Sequence, residues 1–257
     1  MKRPIIFVLF VFIQLCSFGI TPFRFAFITD MHVDAKKKEP TEDLLNAINE
    51  INTNSAIEFC IIGGDVTQEG DSASLYQAKL LLNQLKKPYY ITFGNHDVRT
   101  SRPENRIYKT IFGADRFSFS YQNFLFIGFT TAPASNYGIG HIAEYDLAWL
   151  KVELSKQNPE TTVFVTTHYP LLTGDVDNWQ AATDILQNYT IKAILNGHYH
   201  RNAVLNYDNL MGLVNRSTLR GKEQKGGYSI YTVSDSLSVS EKIIDNDERE
   251  WLTIPLK

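Results

Sequence analysis

Hydrophobic positions follow two different periods along the chain. Short apolar or alternating runs, typical of strands, are separated by segments in which leucine and isoleucine recur at helical spacing. The pattern predicts strands at residues 23–29, 58–62, 89–93, 162–167 and 192–195, and helices at residues 41–52, 75–85, 144–156 and 179–186. Because strands and helices alternate, the order predicts a parallel sheet with helical crossovers.

The middle and the end of the chain read differently. Residues 117–121 and 125–129 flank a short polar turn and are predicted to form a hairpin. The last fifty residues are rich in strands, at residues 213–215, 228–233 and 237–244. A run of strands after β-α units suggests a second sheet packed on the first. Since no internal repeat and no Pro/Gly linker interrupts residues 20–257, they are expected to form one domain.

The first nineteen residues are distinct from the rest. Lys2 and Arg3 precede an apolar run at residues 5–15, and small residues follow. This pattern predicts a secretory signal peptide that is cleaved after Gly19, and the run is short for a membrane span of about 20 residues. We therefore expect no membrane span after cleavage. Two alternatives stay open: an uncleaved anchor, and a lipoprotein acylated at Cys16.

Composition excludes several classes of protein. The chain has 257 residues, with 25 Lys and Arg against 28 Asp and Glu, giving a formal net charge of −3. This balance argues against a strongly basic nucleic-acid binder, so no stable nucleic-acid partner is expected. Two cysteines cannot make a disulfide-rich scaffold. Cys60, flanked by apolar residues, is expected to be a buried core thiol.

Five of the six histidines lie in four short polar blocks that follow predicted strands, and a fifth block is a Gly-Asp pair. The blocks are Asp30-Met31-His32, Gly64-Asp65, Gly94-Asn95-His96-Asp97, Thr167-His168-Tyr169-Pro170 and Gly197-His198-Tyr199-His200. Because the carboxyl ends of strands in α/β sheets form the ligand crevice, these blocks are expected to meet at one edge. Burying so many polar groups together without a metal would be costly.

As a set and in this order, the blocks resemble the calcineurin-like metallophosphoesterase superfamily, over residues 30–200. The resemblance implies an α/β (α+β) architecture, a two-sheet β-sandwich flanked by helices, with two metals at the strand ends. This agrees with the two sheets predicted above. By resemblance, the first metal is held by Asp30, His32 and His200, the second by Asn95, His168 and His198, and Asp65 bridges both.

The resemblance also implies a mechanism. A hydroxide between the two metals would attack the phosphorus of a phosphomono- or phosphodiester, and His96, steadied by Asp97, would protonate the leaving group. Asn95, His96 and Arg201 are expected to contact the substrate phosphate. Imidazole ligands suit Mn, Fe or Zn better than Mg or Ca, so two divalent or trivalent transition-metal ions are the expected cofactors.

Other residues near the blocks have two readings. Arg99, Arg102 and Arg106 follow His96 and are either phosphate contacts or part of a solvated loop. Tyr169 and Tyr199 adjoin ligands and either stack on substrate or pack against the core. The remaining histidine, His141, is expected to be structural, and residues 174–180 are a candidate rim of the site.

Departures from related branches narrow the class. Purple acid phosphatases carry a tyrosine where this chain has Gln68, and they lack the counterpart of His32. The Asp-Arg-Gly stretch of serine/threonine phosphatases is missing after Asp65. The blocks at residues 94–97 and 197–200 are more similar to the bacterial cyclic-nucleotide phosphodiesterase-like branch.

The sequence thus predicts an exported, periplasmic or extracellular hydrolase that acts on a small-molecule phosphate ester. A lipoprotein anchored through Cys16 is the open alternative for its attachment. The sequence leaves open whether the ester is a mono- or diester, and the oligomeric state. The alternative is a catalytically weak protein on the same fold that binds metal or a phosphate ligand. Every ligand position is filled, which favours the enzyme.

Overall fold

Helices and strands alternate through most of the described chain. A computed structural model describes residues 20–100, 106–132, 138–222 and 224–256. The strands are β1 (Phe23–Ile28), β2 (Ile57–Gly63), β3 (Tyr89–Thr92), β4 (Phe117–Tyr121), β5 (Phe124–Gly128), β6 (Thr162–Thr166), β7 (Ile191–Asn196), β8 (Ala203–Tyr207), β9 (Leu210–Val214), β10 (Gly227–Val233), β11 (Ser236–Ile243) and β12 (Glu248–Pro255). The helices are α1 (Glu39–Thr53), α2 (Ser72–Leu82), α3 (Arg106–Phe112), α4 (Glu144–Ser155) and α5 (Trp179–Leu186).

These strands form two six-stranded sheets, which confirms the two-sheet prediction. The orders are β12-β11-β10-β1-β2-β3 and β4-β5-β6-β7-β9-β8. The late strands do not build a sheet of their own, however. β10 pairs antiparallel with the edge of β1 that β2 leaves open, and β11 and β12 extend from it, whereas β8 and β9 extend the second sheet.

Alternation along β1 shows how the layers are built. Phe25 and Phe27 face a largely aromatic interior between the two sheets, and Ala26 and Ile28 face the buried sides of the helices. All four side chains are fully buried. A strand covered on both faces reads as a nearly continuous apolar run, and this is why residues 23–28 stand out in the sequence.

The elements that were not predicted lie at edges or are short. β8 and β12 are the outer strands of their sheets, and partly exposed edge strands carry polar residues that mask the alternation. A short 3-10 turn, His96–Val98, follows β3, and α3 has seven residues.

The structure also bears on the predictions about membrane spans and about Cys60. No helix among the described residues is long and apolar enough to cross a membrane. The predicted signal peptide, the alternative anchor and Cys16 lie at residues 1–19, outside the described residues. Cys60 is buried as predicted, and burial raises the pKa of its thiol to about 12, so the thiol stays protonated.

Candidate metal centre

The carboxyl ends of both sheets meet at one place, and the predicted site residues lie there. The first sheet supplies Asp30, His32, Asp65, Asn95 and His96, and the second supplies His168, His198 and His200. Hydrogen bonds cross between the sheets at this edge. The His198 backbone N–H donates to Asp30 Oδ2 at 3.0 Å, and His168 Nδ1 donates to the Gly63 carbonyl at 2.9 Å.

Asp30, His32 and His200 form a first cluster of donor atoms. His200 Nε2 lies 3.1 Å from Asp30 Oδ1 and 3.2 Å from His32 Nε2, and the third side of this triangle is 3.9 Å. Ligands about 2.1 Å from a transition ion lie roughly 3.0–3.4 Å apart. Two of the three spacings fall in that range, so this cluster could hold a metal ion.

Asp65, His168 and His198 form a second cluster, in which one ligand atom from each lies within 4.8 Å of the others. Because His168 Nδ1 carries the proton given to the Gly63 carbonyl, its Nε2 is the nitrogen that faces Asp65, 3.2 Å from Oδ2. Asn95 follows β3 at the same edge. The second cluster could also hold an ion.

Asp65 lies between the two clusters. Its Oδ2 is 3.2 Å from His168 Nε2 in the second cluster and 3.8 Å from His32 Nε2 in the first. Its Oδ1 accepts the backbone N–H of His96 at 2.9 Å, which fixes the carboxylate orientation. One carboxylate oxygen therefore faces the donors of both clusters.

Backbone strain is concentrated in the same loops. Nine non-glycine residues in the described part of the chain have positive φ. Five of them belong to the two clusters: Asp30, His32, Asp65, His198 and His200. Left-handed backbone is uncommon outside glycine, and such strain gathers at functional sites. Here the loops hold one another, since His32 N–H donates to the Asp65 carbonyl at 3.0 Å.

Two glycines leave room for the carboxylates. A Cβ at Gly94 would lie 2.1 Å from Asp65 Oδ1, and a Cβ at Gly197 would lie 2.5 Å from Asp30 Oδ2. Real Cβ atoms do not approach oxygen so closely. The glycines of the third and fifth sequence blocks are therefore needed for the backbone to pass beside the two carboxylates.

The charges at this edge also suit a cation. Burial alone would raise the pKa of Asp65 and Asp30, but neighbouring histidines outweigh it and lower the pKa of both. Burial likewise opposes a charged His168, yet the Asp65 carboxylate raises its pKa to about 9, so a metal ion at this position would have to displace the proton from its ring. Burial lowers the pKa of His32 and of His198 to about 4, so both rings are neutral and able to ligate at neutral pH.

Several buried polar atoms have no hydrogen-bond partner among the described residues. They include His32 Nδ1, Asn95 Oδ1 and His168 Nε2. Buried polar atoms are nearly always satisfied, so such a group calls for an explanation. Carboxylates and imidazole nitrogens that converge on two clusters, with the unpartnered Asn95 oxygen at the same edge, fit transition-metal ions.

The sequence model of the calcineurin-like phosphoesterase family matches residues 23–202. The chain belongs to this family. It is 23% identical over 249 residues to a probable cyclic nucleotide phosphodiesterase of Xenorhabdus bovienii, an alignment covering 84% of this chain and 98% of that protein. It is 26% identical over 193 residues to a probable glycerophosphodiester phosphodiesterase of Arcobacter nitrofigilis, covering 68% and 70%.

Among solved structures, a dimetal phosphatase from Danio rerio superposes with a TM-score of 0.68 at 14% identity, covering 91% of this chain and 99% of that one. At this identity the likeness establishes the fold. Together with the family match, it confirms the predicted two-sheet architecture and the prediction of a metal-dependent phosphoesterase.

In this phosphoesterase, His96 is held by a main-chain oxygen. Its Nδ1 donates to the Gln68 carbonyl at 2.8 Å, and its Nε2 accepts from Arg99 Nη2 at 2.8 Å. The Nε2 atom is also 3.9 Å from Asp65 Oδ2. His96 also forms a third group of possible metal donors with His32 and Asp65, although both of its ring nitrogens already have hydrogen-bond partners.

Asp97, predicted to steady His96, holds the loop that carries His96 through backbone hydrogen bonds. The Asp97 carboxylate is buried and accepts four hydrogen bonds, from the backbone N–H groups of Gly94, Val66 and Thr67 and from Thr67 Oγ1. It therefore joins the loop after β2 to the loop after β3 and acts as a positioning residue. Burial and the nearby Asp65 charge raise the pKa of Asp97 to about 7.

The second sheet supplies a rim beside the clusters. Tyr199 donates its hydroxyl to Asp175, which lies in the segment expected to form a rim. The exposed Arg201 guanidinium lies 5.7 Å from the centre of the Tyr199 ring. Tyr169 is buried, and its ring centre lies 4.2 Å from that of His198, so it packs against a member of the second cluster. His141 pairs with Asp177 on the surface.

Sequence reasoning missed groups that act through the main chain or from buried positions. The Gln68 carbonyl gave no signal, since any residue supplies one. Buried Asn196 donates to the carbonyls of Thr167 and Tyr169, on either side of His168, and accepts from Tyr207 Oη. Its place at the end of a strand, just before Gly197, was the signal that could have identified it.

Proposed function

We propose that this phosphoesterase is an exported hydrolase that uses two metal ions to cleave a small-molecule phosphodiester. The observation that carries the proposal is the convergence of oxygen and nitrogen donors from four strand ends on two adjacent clusters. Asp65 Oδ2 faces donors of both clusters, as a shared ligand must.

The proposed ligands follow the two clusters. One ion would be held by Asp30, His32 and His200, the other by Asn95, His168 and His198, and both by Asp65. Mn, Fe and Zn suit this mixture of imidazole and carboxylate donors. When bound, such ions polarise phosphoryl oxygens and lower the pKa of water from 15.7 to about 7, which supplies a nucleophile at neutral pH.

His96 is proposed to act after its Nε2 has taken up a proton from solvent, and to give that proton to the leaving oxygen as the P–O bond breaks. Its Nε2 is directed toward the shared carboxylate, and the Gln68 carbonyl fixes the ring through Nδ1. General-acid catalysis of this kind contributes typically about 10²–10⁴-fold. Asp97 supports the step indirectly, because it holds the loop that carries His96.

The preference for a diester rests on the relatives. Two of them are named as probable cyclic nucleotide and glycerophosphodiester phosphodiesterases. Asn95 follows β3, its buried Oδ1 has no hydrogen-bond partner among the described residues, and it would contact a substrate phosphate. Arg201, stacked over Tyr199 at the rim, would contact a negatively charged part of the substrate beyond the reacting phosphorus.

The test uses residues 20–257 loaded with Mn²⁺, and bis(p-nitrophenyl) phosphate and p-nitrophenyl phosphate as substrates. We expect a higher rate on the diester. His96→Ala should lower kcat about 10²–10⁴-fold with unchanged metal content, since we propose that His96 donates a proton and does not bind metal. His141→Ala, the matched control, should change kcat less than twofold. Equal loss of metal and rate in His96→Ala would reassign His96 as a ligand.

The alternative, a binding protein without turnover, has its own outcome in this experiment. It would be favoured if the wild-type protein binds two metal ions per chain but hydrolyses neither ester. A higher rate on the monoester would instead indicate a phosphatase.

Export is proposed from the pattern of residues 1–19. The test is the mass of the mature protein after expression in a bacterium with a periplasm. A chain beginning at Ile20 in the periplasmic fraction supports cleavage after Gly19, and a diacylglyceryl-modified chain beginning at Cys16 supports the lipoprotein. A full-length chain in the membrane fraction would leave the uncleaved anchor.

A further inference from the structure

We propose that Arg99 binds the phosphoryl group of the substrate directly, leaving its resting contact with His96 when the phosphate arrives. This inference rests on the proposed function, because it names a further phosphate-binding residue for the same site.

The Arg99 guanidinium lies against the group that faces the clusters. Its Nη2 donates to His96 Nε2 at 2.8 Å, and its Nη1 lies 3.3 Å from Glu69 Oε1. The side chain is 23% exposed, so it is partly covered and still reachable from solvent. Arg99 thus has a fixed position beside the site.

Its position follows from local structure. Arg99 comes directly after the 3-10 turn His96–Val98, and side chains three residues apart eclipse one another in such a turn. The turn is anchored from below, since Asp97 accepts backbone N–H groups from two neighbouring loops. The backbone therefore directs the Arg99 side chain toward Nε2 of the His96 ring.

A phosphate at the clusters would come within reach of this guanidinium. His96 Nε2 is 3.9 Å from Asp65 Oδ2, and the His96 ring centre is 4.5 Å from that of His32. A phosphoryl group bound at the proposed metal site would lie close to His96 Nε2, where Arg99 Nη2 now lies. The guanidinium must then either bind the phosphoryl oxygens or move away from them.

Chemistry favours binding. A guanidinium forms paired, charge-assisted hydrogen bonds to phosphate that are stronger than one bond to a neutral imidazole. The ion pair with Glu69 opposes this transfer only weakly, because Glu69 is 50% exposed and water screens the pair. Transfer of Arg99 to the phosphate also frees the lone pair of His96 Nε2, so that this atom can take up the proton that it gives to the leaving oxygen.

The first test measures binding of inorganic phosphate to the Mn²⁺-loaded protein by calorimetry. Arg99→Gln should raise the Kd about 10- to 100-fold, as expected for loss of a charged hydrogen-bond donor, without changing Mn²⁺ content. Arg99→Lys keeps the charge but not the fork, so its Kd should lie in between. Arg249→Gln, the same change on the exposed edge strand β12, should stay within twofold. A Kd within twofold in Arg99→Gln would overturn the proposal.

The second test separates phosphate binding from an effect through His96. Aryl phosphodiesters with leaving groups of increasing pKa are compared in Arg99→Gln and Arg99→Lys. If Arg99 binds the phosphoryl group, kcat/KM should fall by a similar factor across the series. A loss confined to poor leaving groups would mean that Arg99 acts only through the proton donor, and would overturn the proposal.

Failure of the proposed function would look different. If no ester is hydrolysed but Arg99→Gln still weakens phosphate binding, the phosphate site stands without turnover. If turnover is present and phosphate binding does not depend on Arg99, the enzyme stands and this inference fails.

Discussion

The interior between the two sheets is apolar and aromatic, whereas the edge where the same strands end carries buried charged and polar groups. In the interior, Phe25 stacks on Phe59 and Tyr231 at centroid distances of 5.2 and 4.8 Å and meets Phe126 edge-on at 5.3 Å. Five residues further along, Asp30 has left-handed backbone and a buried carboxylate. One strand thus links the apolar interior to the strained edge.

The two regions differ in whether they are stable without a bound ion. Aromatic rings that pack against one another stabilise the fold without any ligand. The edge instead gathers two ionised carboxylates, positive φ angles and buried polar atoms without partners among the described residues. Such an arrangement persists because the surrounding structure fixes it, and a bound cation would satisfy it.

From this contrast we expect substitutions in the interior and at the edge to affect different properties. A change in the interior should lower the stability of the whole protein and leave metal binding as it was. A change at the edge should remove the contribution of metal to stability together with turnover. Substitutions in each region can therefore test the comparison directly.

The largest expected effect is that of Asp65→Asn. Because the carboxylate faces both clusters, its loss should lower turnover by about 10³-fold or more. Mn²⁺ at 100 times its Kd should add about 2.7 kcal/mol to the free energy of unfolding of the wild-type protein, and this increment should vanish in the variant. Urea unfolding with Mn²⁺ or with chelator measures it.

Asp71→Asn is the matched control for that substitution. Asp71 caps α2 by accepting the backbone N–H of Ser74, and asparagine caps helices about as well as aspartate. We expect normal turnover and a normal Mn²⁺ increment. A variant at Asp65 that keeps its Mn²⁺ increment would show that the two clusters do not share this ligand.

Next in size is Phe25→Ala in the interior. Removing a fully buried ring should lower the free energy of unfolding by about 3–5 kcal/mol. The Mn²⁺ increment and the KM of the folded fraction should stay as in the wild type. Tyr76→Ala, which removes a ring that is 57% exposed, should change stability by no more than about 0.5 kcal/mol. Loss of the Mn²⁺ increment in Phe25→Ala would contradict the separation of the two regions.

The two regions also differed in how far sequence could predict them. The inner strands were predictable because apolar runs are covered on both faces, as in β1 and β2. The helix α1 begins two residues before its predicted start, since Pro40 is accommodated in the first turn. β12 was missed because charged residues and Pro255 belong to its exposed outer edge.

At the edge, the sequence blocks led to the donor residues but not to all their contacts. Each donor follows a strand, so topology alone brings it to the site. The direction of a side chain depends on loops far apart in sequence: Asp97 accepts from Val66 and Thr67, thirty residues earlier. The Gln68 carbonyl is a main-chain group, so no residue type could identify it.

A smaller effect is expected from Asp97→Asn, at the junction of the two regions. The carboxylate accepts four hydrogen bonds, and an amide nitrogen in place of one oxygen would face donors. Leaving such donors unsatisfied should lower the free energy of unfolding by about 1–3 kcal/mol. Mn²⁺ affinity should also fall, because the loop carrying Asp65 loosens. Unchanged Mn²⁺ affinity would show that Asp97 supports only the fold.

The smallest expected effect concerns Asp146, a buried carboxylate outside the metal centre. Burial raises its pKa to about 6, and Arg116, whose Nη1 lies 2.9 Å from Oδ1, offsets this only in part. The folded-state pKa exceeds the ordinary value of 3.8, so the protonated form adds stability that is fully present below that value and is lost as pH rises through about 6. Asp146→Asn should lack this dependence. Its free energy of unfolding relative to wild type should therefore rise by about 1–2 kcal/mol between pH 4.5 and 7.5, measured with chelator present. A difference that is constant with pH would mean that Arg116 fully compensates the buried charge, as a bound cation would at the edge.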